Sequence, residues 1–277
     1  MNYTANDVKA LRDATGAGLL DCKKALNDTN GDVAEAEKLL KEKGLAAMAK
    51  RTDRTAAEGR IVVKQDGNKI AIAETLCETD FVSNNADFIS VAEKAAETTL
   101  AKQASGVLPE HKELIDTILV KFRENMSVKR AEYIEVPAGC VASTYVHHDH
   151  KIGAVVVVKG SEAESVKDFA HVCCLHLASS KPDYINQSDV PQSYIDEQTE
   201  IFKAQMAEDP AMQNKPENVK EGILKGKVNK LLASSCFMDQ PYLDNEKITV
   251  KQALAEAGKA AGATLSFEKI VLFVLGK

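Results

Sequence analysis

Residues 60–85 read RIVVKQDGNKIAIAETLCETDFVSNN, and their pattern decides the fold. Two apolar, largely β-branched runs, Ile61-Val62-Val63 and Ile70 to Leu76, flank Asp66-Gly67-Asn68. Glycine accepts the positive φ that a tight turn needs, so the stretch predicts an antiparallel β-hairpin. A polar loop, Glu78 to Asn85, follows and carries one large aromatic, Phe81. Such a side chain either folds back into its own core or stays exposed as an anchor for a partner pocket.

Toward the C-terminus, helical stretches are predicted near 86–103 and 110–124, separated by Gly106 and Pro109. Strands follow at 131–136, 140–146 and 152–159, then a helix near 162–179 that ends at Ser180-Lys181-Pro182. Hairpin-then-helix thus occurs at 60–103 and again at 131–179, which predicts two related α+β subdomains with antiparallel sheets. Residues 188–236 break that pattern. Tyr194, Ile195, Gln198, Ile201, Phe202 and Gln205 follow helical spacing, as do Val219, Ile223, Val228, Leu231 and Leu232, with Pro210 and Pro216 bracketing a turn between them. This predicts an antiparallel helical hairpin inserted in the second subdomain. A helix near 249–260 and a strand from Leu265 to Leu275 resume the α+β order.

Toward the N-terminus, residues 1–44 predict three short helices. Thr4 caps the first with Asp7 three residues on, and Gly16 and Gly18 turn the chain. Asn30-Gly31 stops the second, Asp32 caps the third, and Gly44 ends it. Residues 45–59, with Lys50, Arg51, Thr52, Asp53 and Arg54, read as a mobile linker. The expected organisation is α+β: a helical module with its linker at 1–54, a core subdomain at 55–130, and a second at 131–277 holding the insertion 188–236.

Composition narrows the function. The 277 residues carry 35 Lys and Arg against 41 Asp and Glu, a net charge of −6, with 5% aromatics and no Trp. A phosphate backbone demands excess cations and single strands demand stacked aromatics, so direct nucleic-acid binding is not expected. No stretch reaches the ~20 apolar residues of a membrane span, and the start, MNYTANDVKA, lacks a signal-peptide pattern. Cys22, Cys77, Cys140, Cys173, Cys174 and Cys236 form no C-x-x-C pair and read as reduced thiols of a cytoplasmic protein.

Motifs for covalent or metal chemistry fall short. Gly222-x-x-x-Gly226-Lys227-Val228 has three intervening residues where a phosphate loop needs four, and Val where Ser or Thr must reach Mg²⁺. His147, His148, Asp149 and His150 invite zinc, yet no second anchored ligand pair accompanies them, and a solvated hairpin loop is the plainer reading. His171, Cys173, Cys174 and His176 scatter over more than one face of a helix. No cofactor and no resident metal are expected, and no enzyme activity.

Three segments together resemble the elongation factor Ts family. They are Thr15-Gly16-Ala17-Gly18-Leu19-Leu20-Asp21-Cys22-Lys23-Lys24-Ala25-Leu26, then Glu78-Thr79-Asp80-Phe81-Val82, then Tyr145-Val146-His147 with Lys151-Ile152-Gly153. The resemblance implies a ubiquitin-associated-like N-terminal module, a two-part core and an inserted coiled coil. It implies a guanine-nucleotide exchange factor whose partner is the GTPase elongation factor Tu. Thr79, Asp80, Phe81 and Val82 would disturb the partner's Mg²⁺ site, while Leu19, Leu20, Lys23, Met126 and His147 would dock. Several family members carry a further C-terminal helical module, whereas this sequence stops at Lys277. Self-association through the helical hairpin or the core is left open. The competing reading is a ubiquitin-associated-like binding adaptor, which accounts for residues 1–54 but not for the Thr-Asp-Phe-Val loop.

Overall fold

The side chain of Thr4 accepts the amide of Asp7 at 3.3 Å while the Asp7 carboxylate takes the amide of Thr4 at 2.7 Å, so the first helix opens on a reciprocal capping box. In the computed structural model, which describes residues 2–49, 51, 53–213 and 215–277, this helix is α1 (Ala5–Thr15). It ends at Gly16, whose φ of 66° lies in the left-handed region that glycine enters without penalty. Helices α2 (Leu19–Asp28) and α3 (Val33–Ala49) complete the module, packing Val8, Leu11, Cys22, Leu26 and Leu40 into one core.

Gly44 does not end α3. The helix runs through it to Ala49, and a Cβ at Gly44 would meet the Val120 side chain at 3.0 Å. Glycine here lets α3 approach a later segment, and Val120 itself belongs to the module's core. The N-terminal helices are therefore tied to the chain beyond residue 100. Lys50 and Thr52 of the expected linker lie outside the described residues. Nearby, Arg51 donates to the carbonyl of Arg123, and Arg54 pairs with Glu78 at 3.4 Å.

The described chain forms two compact units. The first takes in residues up to Ala138, Thr144–Ala154 and Leu272–Lys277; the second holds Gly139–Ser143 and Val155–Val271. The first sheet has the order β1 (Glu58–Asp66), β2 (Lys69–Cys77), β3 (Ser127–Glu135), with both pairs antiparallel. β1 and β2 meet at the predicted Gly67 turn in the register Asp66 to Lys69. The strand predicted at 131–136 is longer and joins this first sheet, so the first unit runs past residue 130. β2 is central and buried from Ile70 to Cys77, which explains its unbroken apolar run.

After a short helical turn, α4 (Asp80–Ser83), helix α5 (Ala86–Lys102) lays Phe88, Val91, Ala92, Ala95, Ala96 and Thr99 along the sheet. That is a 3.6-residue stripe in which each fully buried Val or Phe contributes about 1.5–3 kcal/mol. The single helix expected at 110–124 is two, α6 (Pro109–Asp116) and α7 (Leu119–Phe122), broken near Thr117. On the other face, a Cβ at Gly153 would lie 2.6 Å from the Ile61 side chain and 3.1 Å from that of Ile72, so glycine is what lets this segment close on the sheet.

The second sheet has the order β4 (Cys140–Val146), β5 (Ile152–Lys159), β8 (Ser266–Val274). In the second unit α8 (Glu164–Ser180) buries Val166, Phe169, Cys173, Cys174 and Leu177, and Cys174 Sγ donates to the Ser143 carbonyl at 3.3 Å. Burial pushes the Cys174 thiol up to about 12, so it stays an inert thiol. His176 bonds Gln240 at 2.8 Å and accepts from the Leu243 amide at 3.2 Å, and burial holds its pKa down. All six cysteines are buried and unpaired.

The inserted region is α9 (Gln192–Glu208), a helical turn α10 (Pro210–Gln213) and α11 (Glu217–Ser235). Val190, Tyr194 and Ile195 pack with Val228, Leu232 and Cys236, while Met206 lies beside Lys220 and Leu224. The two helices therefore run antiparallel. Ile201, expected in the stripe, is 41% exposed. Gly222 and Gly226 sit inside α11, where no loop exists to cradle a phosphate. Next come the small ribbon of β6 (Pro241–Tyr242) and β7 (Asn245–Thr249), then α12 (Val250–Ala260), which opens on a reciprocal capping box between Thr249 and Gln252.

Candidate functional site

Thr79 initiates α4. Its hydroxyl accepts the Val82 amide at 3.4 Å, which fixes the helical phase of the next residues. That phase sends Val82 into the core at 6% exposure and leaves Phe81 85% exposed beside it. Asp80 is also exposed. An aromatic left almost wholly in water forgoes about 1.5–3 kcal/mol of burial, and that area is open to a partner pocket.

The base of the turn is held from a distant segment. One oxygen of the Glu124 carboxylate accepts the amides of Glu78 and Thr79, each at 3.1 Å, and the other takes the Thr79 hydroxyl at 2.7 Å. In return, Glu78 accepts the amide of Asn125 at 2.7 Å. Beneath the turn, Cys77 Sγ donates to the Thr79 carbonyl at 3.2 Å, and burial together with the Glu124 charge pushes the thiol up to about 12.

The other expected docking residues attach to the same frame. Leu20 is 80% exposed and Leu19 48%, because α2 turns Cys22, Ala25 and Leu26 inward; Lys23 is exposed beside them. Asp21, next to Leu20, pairs with Arg123, the neighbour of Glu124. His147 lies half-buried at the end of β4, with Nδ1 2.9 Å from the Tyr145 hydroxyl and its amide donating to the Ile152 carbonyl at 2.9 Å. The loop after it reaches β1: His150 gives its carbonyl to the Ile61 amide at 2.7 Å, and Lys151 pairs with Glu58 at 2.8 Å. The Glu58 contact, with the charges of Asp149 and Asp80, holds the Lys151 pKa up. Among the described residues, no group of three or more His, Cys, Asp or Glu is gathered as metal ligands.

Met126 is placed otherwise than expected. It is fully buried, in the core with Phe88, Val91, Ile115 and Val128, and presents no side chain to a partner. β3 begins one residue later, and its first inward positions are filled from α5 and α6. Sequence reading missed Glu124. Its one signal was a lone acid just before β3, and its targets lie 45 and 46 residues away.

What this arrangement can do is bind: an exposed aromatic and an exposed aliphatic knob, each stiffly supported, with charges around them. No helix among the described residues is long and apolar enough to cross a membrane. The family model described as "Elongation factor TS" matches residues 78–277. A protein named elongation factor Ts from Treponema denticola is 48% identical over 281 residues, covering 100% of this chain and 99% of its own. One from Treponema pallidum (strain Nichols) is 40% identical over 292 residues, with 100% and 99% covered. A third, from Clostridium acetobutylicum, is 35% identical over 288 residues, covering 99% of this chain and 92% of its own. With a family model over most of its length and full-length relatives of one name, the chain belongs to the elongation factor Ts family of translation elongation factors.

Proposed function

We propose that this protein is a guanine-nucleotide exchange factor that binds the GDP form of elongation factor Tu and promotes GDP release. The observation that carries the reading is Phe81, 85% exposed on a turn with a hydrogen-bonded base. Phe81 enters between helices of the partner's GTPase domain and displaces the elements that hold Mg²⁺. Asp80 brings negative charge to the same place and disturbs the water and side-chain network around the ion. Leu20, with Leu19 and the basic rim at Lys23, holds the GTPase domain, and His147 adds a contact from the hairpin loop. Val82 serves from beneath, by anchoring the turn.

The energetics are those of linkage. Exchange requires only that this chain bind nucleotide-free partner more tightly than the GDP form, and GDP then weakens the complex by the same factor. Affinity equal for both states would shift nothing. The protein acts by binding, in the cytoplasm, with no covalent chemistry and no cofactor of its own.

The test is the release of fluorescently labelled GDP from purified elongation factor Tu, followed against rising concentration of this protein. A saturable acceleration is expected. Binding without acceleration would overturn the proposal and favour an adaptor.

A further inference from the structure

Two carboxylates form a reciprocal clasp at the base of the Phe81 turn. Glu124 receives three donors from Glu78 and Thr79, and Glu78 receives the amide of Asn125. Glu78 also pairs with Arg54, whose carbonyl accepts the side-chain amide of Asn125 at 2.7 Å. Both acids are half-buried. A carboxylate accepting backbone amides is a charge-assisted contact, stiffer than a neutral one. The clasp closes over 46 residues of chain, yet α4 is only four residues long and cannot hold its own orientation. Arg123 precedes Glu124 and grips Asp21, so one short segment touches both the turn bearing Phe81 and the helix bearing Leu20.

We propose that Glu124 is a positioning residue for nucleotide exchange: by gripping Glu78 and Thr79 it fixes the direction in which Phe81 leaves the surface, at a set distance from the docking helix. This rests on the exchange reading above. It also separates two roles within residues 120–126. Val120 and Met126 on either side are core, while Glu124 serves the contact surface. Loss of the clasp leaves Leu20 available to dock but lets Phe81 wander, so encounter survives and the productive geometry becomes rare.

The test uses the full chain with Glu124→Gln, which keeps the shape but removes the charge and one acceptor. It should melt cooperatively and reach half-saturation within about twofold of the parent. Its plateau rate of GDP release should fall by roughly five- to tenfold, the size of one ordinary net hydrogen bond, since the amide oxygen of Gln still accepts. Glu124→Asp should recover part of that loss. In a Phe81→Ala background the same substitution should add little, because both changes act through one side chain. A parental plateau, or a loss that adds in full to that of Phe81→Ala, overturns the proposal. Amide hydrogen exchange without any partner is the second arm: Glu78, Thr79 and Asn125 should lose protection in Glu124→Gln while β2 and α5 keep theirs. Unchanged protection also overturns it. If the parent protein does not accelerate release, the exchange reading fails; if it does and Phe81→Ala leaves release untouched, the wedge role of Phe81 fails and the positioning role with it, while the amide arm still reports on the clasp. Should Glu124→Gln not fold, Glu124→Asp, which keeps the charge but draws the carboxylate back by one methylene and leaves the Thr79 cap of α4 intact, carries the same comparison.

Discussion

The turn at Glu78–Asn85 and the helical hairpin α9–α11 both stand at the surface, but they are built in opposite ways. The turn is short and held by side chains from far along the chain, so its single aromatic points in one direction. The hairpin is long and held mostly by itself. Over α9 and α11, Met206 and Leu232 are the residues described as buried. A few kcal/mol invested in a clasp makes a short element precise. The same number of contacts spread along two helices makes an element that reaches far and binds less sharply. The proposed exchange role calls for the first kind of construction.

Phe81→Ala should have the largest effect. Loss of an aromatic anchor at an interface typically costs ~2 kcal/mol or more, so the plateau of catalysed GDP release should drop about 30-fold. The saturation curve decides the role. A curve that reaches the parental plateau at higher protein concentration would make Phe81 one more docking contact. Leu20→Asp comes next, since Leu20 is the more exposed of the adjacent pair. It should raise the half-saturation concentration by roughly tenfold with the plateau kept, because a buried charge penalises association. A lower plateau at unchanged half-saturation would merge the two contact points into one function.

Replacing the hairpin by a Gly-Ser linker should change the release plateau by no more than about twofold. The flanking chain already closes without it: Phe237 donates its amide to the Tyr184 carbonyl at 2.9 Å, and Met238 donates to that of Ile185 at 3.1 Å. A cooperative melt of the shortened protein, read by circular dichroism, is the control, and its loss would make the hairpin part of the core. The smallest effect belongs to Gly222→Ala and Gly226→Ala. A Cβ at either position meets nothing within 4 Å, and both lie mid-helix at ordinary helical φ. Each substitution should therefore stabilise α11 by about 0.5–1 kcal/mol, seen as slower amide exchange in the hairpin and no change in GDP release. A destabilised hairpin would mean that these glycines touch something in solution.

Much of the architecture was legible because it is local. The Gly67 turn, the Thr4–Asp7 box, the Gly16 stop and the start of α11 at Pro216 depend on residues a few positions apart, whose φ preferences and hydrogen bonds act within a turn. The Thr79-to-Val82 motif and the Leu19-Leu20 pair were likewise visible by residue type and order. Gly44 was misjudged because a glycine that ends a helix and one that admits a neighbour look alike in sequence, and Val120 is 76 positions away. β3 was assigned to the second subdomain because its partner strand is fixed by register with β2, about 58 residues earlier, and pairing is not written into either strand alone.

The sequence by itself determined that a large aromatic stands in a polar turn beside a valine, that two leucines share a helix, and that a methionine precedes a strand. Tertiary structure alone decided which of these face the solvent. Successive residues on a helical turn point about 100° apart, so Phe81 can stand in solvent while Val82 is buried, and the phase that decides it is set by Thr79 and the Glu124 carboxylate that holds it. Met126 went inward because α5 and α6 supply its neighbours. Burial is a property of what packs against a residue, and those partners arrive from elsewhere in the chain.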